Sequence, residues 1–147
     1  DNGEYDAIIL ACAGLIRLGF EDRIKQPLDA ETSLPAVGQG ALGIENRKGD
    51  ETIIELIRPL IDSKTMTEVL AERAMNATLE GSCSVAIAGY AATMEEELLL
   101  KGLVGNVESG SILRAESSGS ISQPGALGEL VANQLLAIGA GKLLEGV

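Results

Sequence analysis

The chain has 147 residues, of which 46% are hydrophobic and 22% charged, so it can bury a core and is neither disordered nor collagen-like. Its 22 acidic residues outnumber 11 basic ones, and the formal charge of −11 argues against nucleic acid or an anionic membrane surface as a partner. With no histidine, only two cysteines and no CxxC motif, the sequence excludes a structural zinc site and catalysis by imidazole.

The first third of the chain has the pattern of an α/β layer. Tyr5–Cys12 is a continuous apolar run, typical of a strand buried on both faces. The segment after it predicts a short helical turn that ends at Gly19. Two prolines and two glycines within residues 25–40 predict a loop, and residues 41–45 predict a second short strand.

A helix and a domain boundary follow. Asp50 is a predicted N-cap, and the isoleucines at 53, 54 and 57 would share one face of the helix after it. Because Pro59 interrupts this helix, we place a domain boundary at residues 59–63.

The remainder of the chain predicts a small α+β domain. Thr65 and Glu68 are spaced as a capping box at the start of a helix over 65–79. Three strand candidates, which short turns should join as antiparallel neighbours, are 85–91, 98–104 and 111–116. A last helix is predicted over 124–138. The apolar positions expected to face the core are Met66, Val69, Leu70 and Ala74 on the first helix, and Leu127, Leu130, Val131, Leu135 and Ile138 on the last.

Three residues could carry chemistry. Gln39 lies between two glycines that allow backbone amides to approach a ligand, although a flexible loop explains the same string. Cys83 lies among small residues after a helix, where it could be either a reachable thiol or a buried filler. Arg17 follows an apolar strand, where α/β proteins place ligand contacts, but a surface or interdomain ion pair is the simpler role.

Four strings, in this order, resemble the porphobilinogen deaminase family, also called the hydroxymethylbilane synthases. They are YDAIILACAGLIRLGF, LPAVGQGALGIE, AERAMNATLEGSC and IAGYA. The resemblance corresponds to the carboxyl-terminal half of a three-domain protein. It implies that residues 1–40 end the second of two periplasmic-binding-protein-like α/β domains and cross between them. Residues 41–62 would return to the first domain, and 63–147 would form a carboxyl-terminal domain with a three-stranded antiparallel sheet covered by helices.

The resemblance also implies an activity. Members of the family polymerise four porphobilinogen molecules into hydroxymethylbilane, release ammonia at each addition, and grow the chain on a dipyrromethane cofactor. The family's cofactor cysteine, which holds the group by a thioether, matches Cys83. Arg17, Gln39, Gly40 and Ser84 match positions near the cofactor, with the arginine on pyrrole carboxylates. No metal is implied.

The resemblance implies that part of the active site lies outside this chain. The family's catalytic aspartate and most of its carboxylate-binding basic residues are expected upstream, so no catalytic residue is assigned here and the chain alone should be inactive. We expect a cytoplasmic, monomeric parent protein that binds porphobilinogen and the growing oligopyrrole. This portion would pair with the missing amino-terminal part or self-associate through exposed strand edges.

Two departures from the family pattern, Ser82 for glycine and Ala86 for proline, affect the shape of the cysteine loop and leave its thiol in place. Two other hypotheses remain open. One is a noncatalytic ligand-binding or protein-binding module in which Cys83 only fills space. The other is a redox pair of Cys12 and Cys83, which would require two thiols from different predicted domains to meet.

Overall fold

The computed structural model describes residues 3–79 and 86–144. The chain divides into two compact units, Asp1–Ser33 and Leu34–Val147. The three-part division at residues 40 and 62 stays a prediction. Among the helices of the described ranges, none combines the length and hydropathy that a membrane span requires.

The first unit contains one short helix, α1 (Cys12–Arg17), followed by a 3₁₀ turn at Glu21–Arg23. Gly19 adopts a φ of +72°, which confirms the predicted helical stop. The predicted strand over 5–12 is wrong: these residues form no strand, and Ile9 is 79% exposed. A buried strand needs hydrogen-bonded neighbours, and within the described residues the only sheet is the one of the second unit.

The second unit begins with irregular chain. The strand predicted over 41–45 is also wrong, because this segment has no sheet partner and Leu42 is 93% exposed. The helix predicted after Asp50 is confirmed as α2 (Glu51–Ile57), and the Asp50 carboxylate accepts a hydrogen bond from the Ile53 N–H at 3.3 Å. A 3₁₀ turn at Arg58–Leu60, with Pro59 in its first turn, follows α2.

An antiparallel sheet in the order β1-β2-β3 organises the rest of the unit. Its strands are β1 (Ala86–Met94), β2 (Glu97–Asn106) and β3 (Ser111–Ser120), as predicted but longer. Tyr90 pairs with Lys101, and Lys101 pairs with Glu116. Glu95, in the tight turn between β1 and β2, has a φ of +55°. Glu95 and Glu96 therefore form the short turn that was predicted between these two strands.

Helix α3 (Ser63–Thr78) starts two residues earlier than predicted. Its N-cap is Asp62, whose carboxylate accepts from the Thr65 N–H at 2.7 Å, so the predicted capping box of Thr65 and Glu68 does not form. The Glu68 side chain instead reaches β1. An aspartate at the N-cap satisfies one of the free N–H groups of the first turn and interacts favourably with the helix dipole.

Helices α4 (Pro124–Ala137) and α5 (Ala140–Leu144) complete the domain. The core that α3, α4, α5 and the sheet enclose consists of Ala71, Met75, Leu79, Ala91, Leu98, Leu100, Val104, Leu127, Val131, Ala132, Leu135 and Ala140. The predicted apolar faces are partly wrong, because Met66, Leu70, Leu130 and Ile138 are exposed. The buried faces are rotated toward small residues, which allow closer approach of the helices.

Gly128 marks the closest contact between α3 and α4. A Cβ placed there would lie 2.6 Å from the Ala74 Cβ and 2.7 Å from the Met75 backbone nitrogen, and would also strike the Ala71 carbonyl oxygen. Since backbone atoms of α3 cannot move aside alone, residue 128 must have no side chain.

We expect Gly128→Ala to lower the free energy of unfolding by about 2–3 kcal/mol through overpacking. The matched control is Gly125→Ala in the first turn of the same helix, where a Cβ meets nothing within 4 Å. The control should be neutral or stabilising by up to about 1 kcal/mol, since alanine favours helix. Urea unfolding followed by circular dichroism compares the two, and equal stabilities would contradict the packing.

Candidate functional site

The segment from Leu34 to Gly40, here called the Gln39 loop, is built from consecutive turns. The Gln39 N–H donates to the Ala36 carbonyl at 3.0 Å, and the Ala41 N–H donates to the Gly38 carbonyl at 3.1 Å. Gly38 has a φ of +74°, which a residue with a side chain adopts only with strain. Gln39 and Gly40 are exposed at the tip of the loop, so the amide group of Gln39 is available to a ligand.

The Gln39 loop lies against the outer edge of β1. The Gly89 N–H donates to the Pro35 carbonyl at 3.0 Å, so the loop occupies part of the place that a fourth strand would take. Val37 packs over Gly89: a Cβ at residue 89 would lie 3.3 Å from a Val37 methyl and 2.7 Å from the Met75 methyl. The missing side chain at 89 is therefore what brings the loop and α3 close to the strand.

Glu72 connects the same loop to α3. Its side chain projects from the core-facing side of the helix, and the residue is only 7% exposed. One carboxylate oxygen accepts from the Gly38 N–H at 2.7 Å, and the other accepts from the Ala91 N–H of β1 at 2.9 Å. Burial raises the pKa of Glu72, and the nearby charge of Glu68 adds to the rise, while the two backbone hydrogen bonds oppose it.

Glu68, one turn earlier on α3, accepts from the Thr93 N–H at 2.8 Å. The Lys64 ammonium lies 3.9 Å from the same oxygen. The outward N–H groups at alternate positions 89, 91 and 93 of β1 are thus bonded to the Gln39 loop, Glu72 and Glu68 in turn. This edge of the sheet is closed to another strand.

The predicted site residues fall into different parts of the chain. Gln39 and Gly40 are neighbours in the loop just described, whereas Arg17 ends α1 in the first unit, where it is exposed. Cys83 and Ser84, with Ser82, lie outside the described residues, in the connection between Leu79 at the end of α3 and Ala86 at the start of β1. Cys12 is a free, half-buried thiol at the start of α1. In the described ranges, no group of three or more acidic or cysteine side chains could hold a metal ion.

Sequence reasoning missed Glu72. The signal for it lay in the string AERAMNATLEGSC, in which this glutamate stands between Ala71 and Met75, two residues of the buried face of α3. A carboxylate within the apolar face of a helix is a signal for a buried hydrogen-bonded group, because an unpaired one would be strongly destabilising. The identity of its partners could not be read from the sequence, since Gly38 lies 34 residues away.

Comparison with known proteins gives consistent matches along the chain. Residues 1–55 match the family model described as "Porphobilinogen deaminase, dipyromethane cofactor binding domain", and residues 66–137 match the one described as "Porphobilinogen deaminase, C-terminal domain". The chain belongs to the porphobilinogen deaminase family. This confirms the resemblance found in the sequence, and it confirms that part of the chain matches a cofactor-binding domain.

Two curated relatives are named porphobilinogen deaminase. The protein from Ruthia magnifica is 57% identical over 145 residues, and the protein from Vesicomyosocius okutanii is 54% identical over the same length. Each alignment covers 99% of this chain and 48% of the relative, so the chain spans about half the length of these relatives.

The two family matches give the Glu72 contact a further meaning. Gly38 lies within the match to the cofactor-binding domain, and Glu72 lies within the match to the C-terminal domain. The 2.7 Å hydrogen bond between them therefore joins segments that the family assigns to different domains.

The raised pKa of Glu72 predicts a pH dependence of stability. The folded chain binds a proton at Glu72 more tightly than the unfolded chain, so this contribution is fully present below the usual pKa of 4.5 and is lost as pH rises through the raised value. The free energy of unfolding of the wild type, relative to Glu72→Gln, should therefore increase as pH is lowered from neutral to about 4.5. Urea titrations across this range measure it, and a difference that stays flat or shrinks would show that Glu72 is not desolvated as described.

Proposed function

We propose that the chain is the carboxyl-terminal portion of a porphobilinogen deaminase, a transferase that polymerises four porphobilinogen molecules into hydroxymethylbilane with release of ammonia. The observation that carries this proposal is the 57% identity to a protein of that name over 99% of the chain. The matches to two successive domains of the same family support it. The whole protein would act in the cytoplasm as a monomer.

Cys83 is the proposed anchor of the dipyrromethane cofactor. Addition of its S–H to an electrophilic azafulvene-type carbon forms one C–S bond, places the proton on the pyrrole nitrogen and needs no leaving group. A thiol that reacts only once needs access more than a low pKa, and the small residues around Cys83 are suited to that. When bound, the cofactor supplies the pyrrole carbon to which the first substrate unit is added.

The remaining predicted residues would hold the cofactor and substrate without covalent bonds. The chemistry of the Gln39 loop fits such a group: the exposed Gln39 amide offers both a donor and an acceptor beside a glycine that permits close approach. Arg17 would bind acetate or propionate carboxylates through its two-pronged guanidinium, and Ser84 would offer a hydroxyl beside the anchor.

The charge of −11 is explained if the other half of the protein supplies most of the positive charge that these polycarboxylate ligands need. The aspartate that steadies positive charge on the pyrrole nitrogen would also come from that half. The chain alone is accordingly expected to be inactive.

To test this proposal, the chain is joined to the amino-terminal half of the Ruthia magnifica protein and purified. Intact mass under denaturing conditions should show an excess of two condensed pyrrole units, and peptide mapping should place it on Cys83, because a thioether survives denaturation. Ammonia release from porphobilinogen should accompany it.

Cys83→Ser should abolish both the mass excess and ammonia release, while the matched control Cys12→Ser should retain both. An unmodified chimera that releases no ammonia would refute the proposed activity. A mass excess that follows Cys12 or survives in Cys83→Ser would refute the assigned anchor.

A further inference from the structure

The geometry points to Glu72 as the positioning residue of the site: it fixes the Gln39 loop to the C-terminal domain and so sets where Gln39 meets its ligand. This inference rests on the proposed function for the role of Gln39. The attachment of the loop to Glu72 does not depend on that proposal, because it rests on contacts within the second unit.

The loop is held before its turn and within it. Before the turn, the Pro35 carbonyl accepts from Gly89, and Val37 packs against the strand. Within the turn, the Gly38 N–H donates to the Glu72 carboxylate at 2.7 Å. Gln39 is the next residue along the chain, so that hydrogen bond restrains the backbone immediately before it.

The geometry of this contact suits the two oxygens of a carboxylate. Gly38 and Ala91 both present N–H donors, and Glu72 meets them with two acceptor oxygens. A glutamine has the same length but only one acceptor, so its NH₂ group would face one of the two donors. A hydrogen bond from a backbone N–H to a charged group is also stronger than one to a neutral amide.

Helix α3 gives this contact a direct relation to the proposed anchor. The helix carries Glu72 near its middle and ends at Thr78, and the chain reaches Cys83 five residues later. One rigid element thus holds the loop that presents Gln39 and leads to the segment that carries the anchoring thiol.

The matched control is Glu68→Gln. Glu68 lies one turn before Glu72 on the same helix and accepts from the same strand, at Thr93, whereas within the described residues the loop's hydrogen bond to an α3 carboxylate goes to Glu72. Both substitutions remove one carboxylate from the edge of β1, and only Glu72→Gln loosens the loop. A difference between the two variants therefore measures the loop contact.

The first measurement is steady-state kinetics of the chimera, normalised to the cofactor-loaded fraction by intact mass. We expect Glu72→Gln to raise KM for porphobilinogen about 10-fold, which corresponds to the loss of about one hydrogen bond from Gln39, and Glu68→Gln to change it less than about 3-fold. A merely destabilised variant would lose active molecules and kcat but keep KM. Equal KM values in the two variants would overturn the inference.

The second measurement is amide hydrogen exchange of the chain alone, which does not depend on activity. Exchange at Gly38 and Gln39 should be faster in Glu72→Gln than in Glu68→Gln, and unchanged rates would overturn the hold on the loop. If Glu72→Gln does not fold, Glu72→Asp, which keeps the charge but is one methylene shorter, replaces it in both measurements. If the wild-type chimera neither loads nor turns over, the proposed function fails, while exchange still decides whether Glu72 holds the loop.

Discussion

The second unit depends on one buried carboxylate shared by two backbone donors. Burying a charged group is costly, and hydrogen bonds to its oxygens reduce that cost. Each Glu72 oxygen has a backbone N–H partner only when the Gln39 loop and β1 are both in place against α3. If either departs, the carboxylate loses one of its two N–H partners. The same group therefore links three segments that are far apart in sequence: residues 34–40, α3 and the edge of the sheet.

Close packing brings these segments within reach. Residues without side chains at 89 and 128 let α3 approach β1 on one side and α4 on the other. Met75, fully buried, fills the space beside Gly89 one turn after Glu72. The aspartate at position 62 caps the start of α3. A site built on such a helix has little freedom to shift.

The sequence predicted what local patterns control. Short turns between strand candidates predicted β1, β2 and β3, the cap at Asp50 predicted α2, and apolar spacing predicted α3 and α4, although the predicted cap of α3 was wrong. Prediction from sequence was wrong where an element needs a hydrogen-bonded partner. The apolar run at 5–12 has the composition of a strand, but among the described residues no strand lies beside it. Family motifs predicted Gln39 as a site residue. Glu72 was not predicted as a site residue, because its hydrogen-bond donors lie far away in the sequence and only the fold brings them to it.

The most direct test of this account is a pH titration of the isolated chain followed by the backbone amide resonances of Gly38 and Ala91. If one carboxylate accepts from both, the two resonances will shift with a common midpoint, and that midpoint will lie above the usual glutamate pKa of 4.5. The same shifts should be absent in Glu72→Gln. Separate midpoints, or a Gly38 resonance that does not respond while Ala91 does, would show that the loop is not held by Glu72.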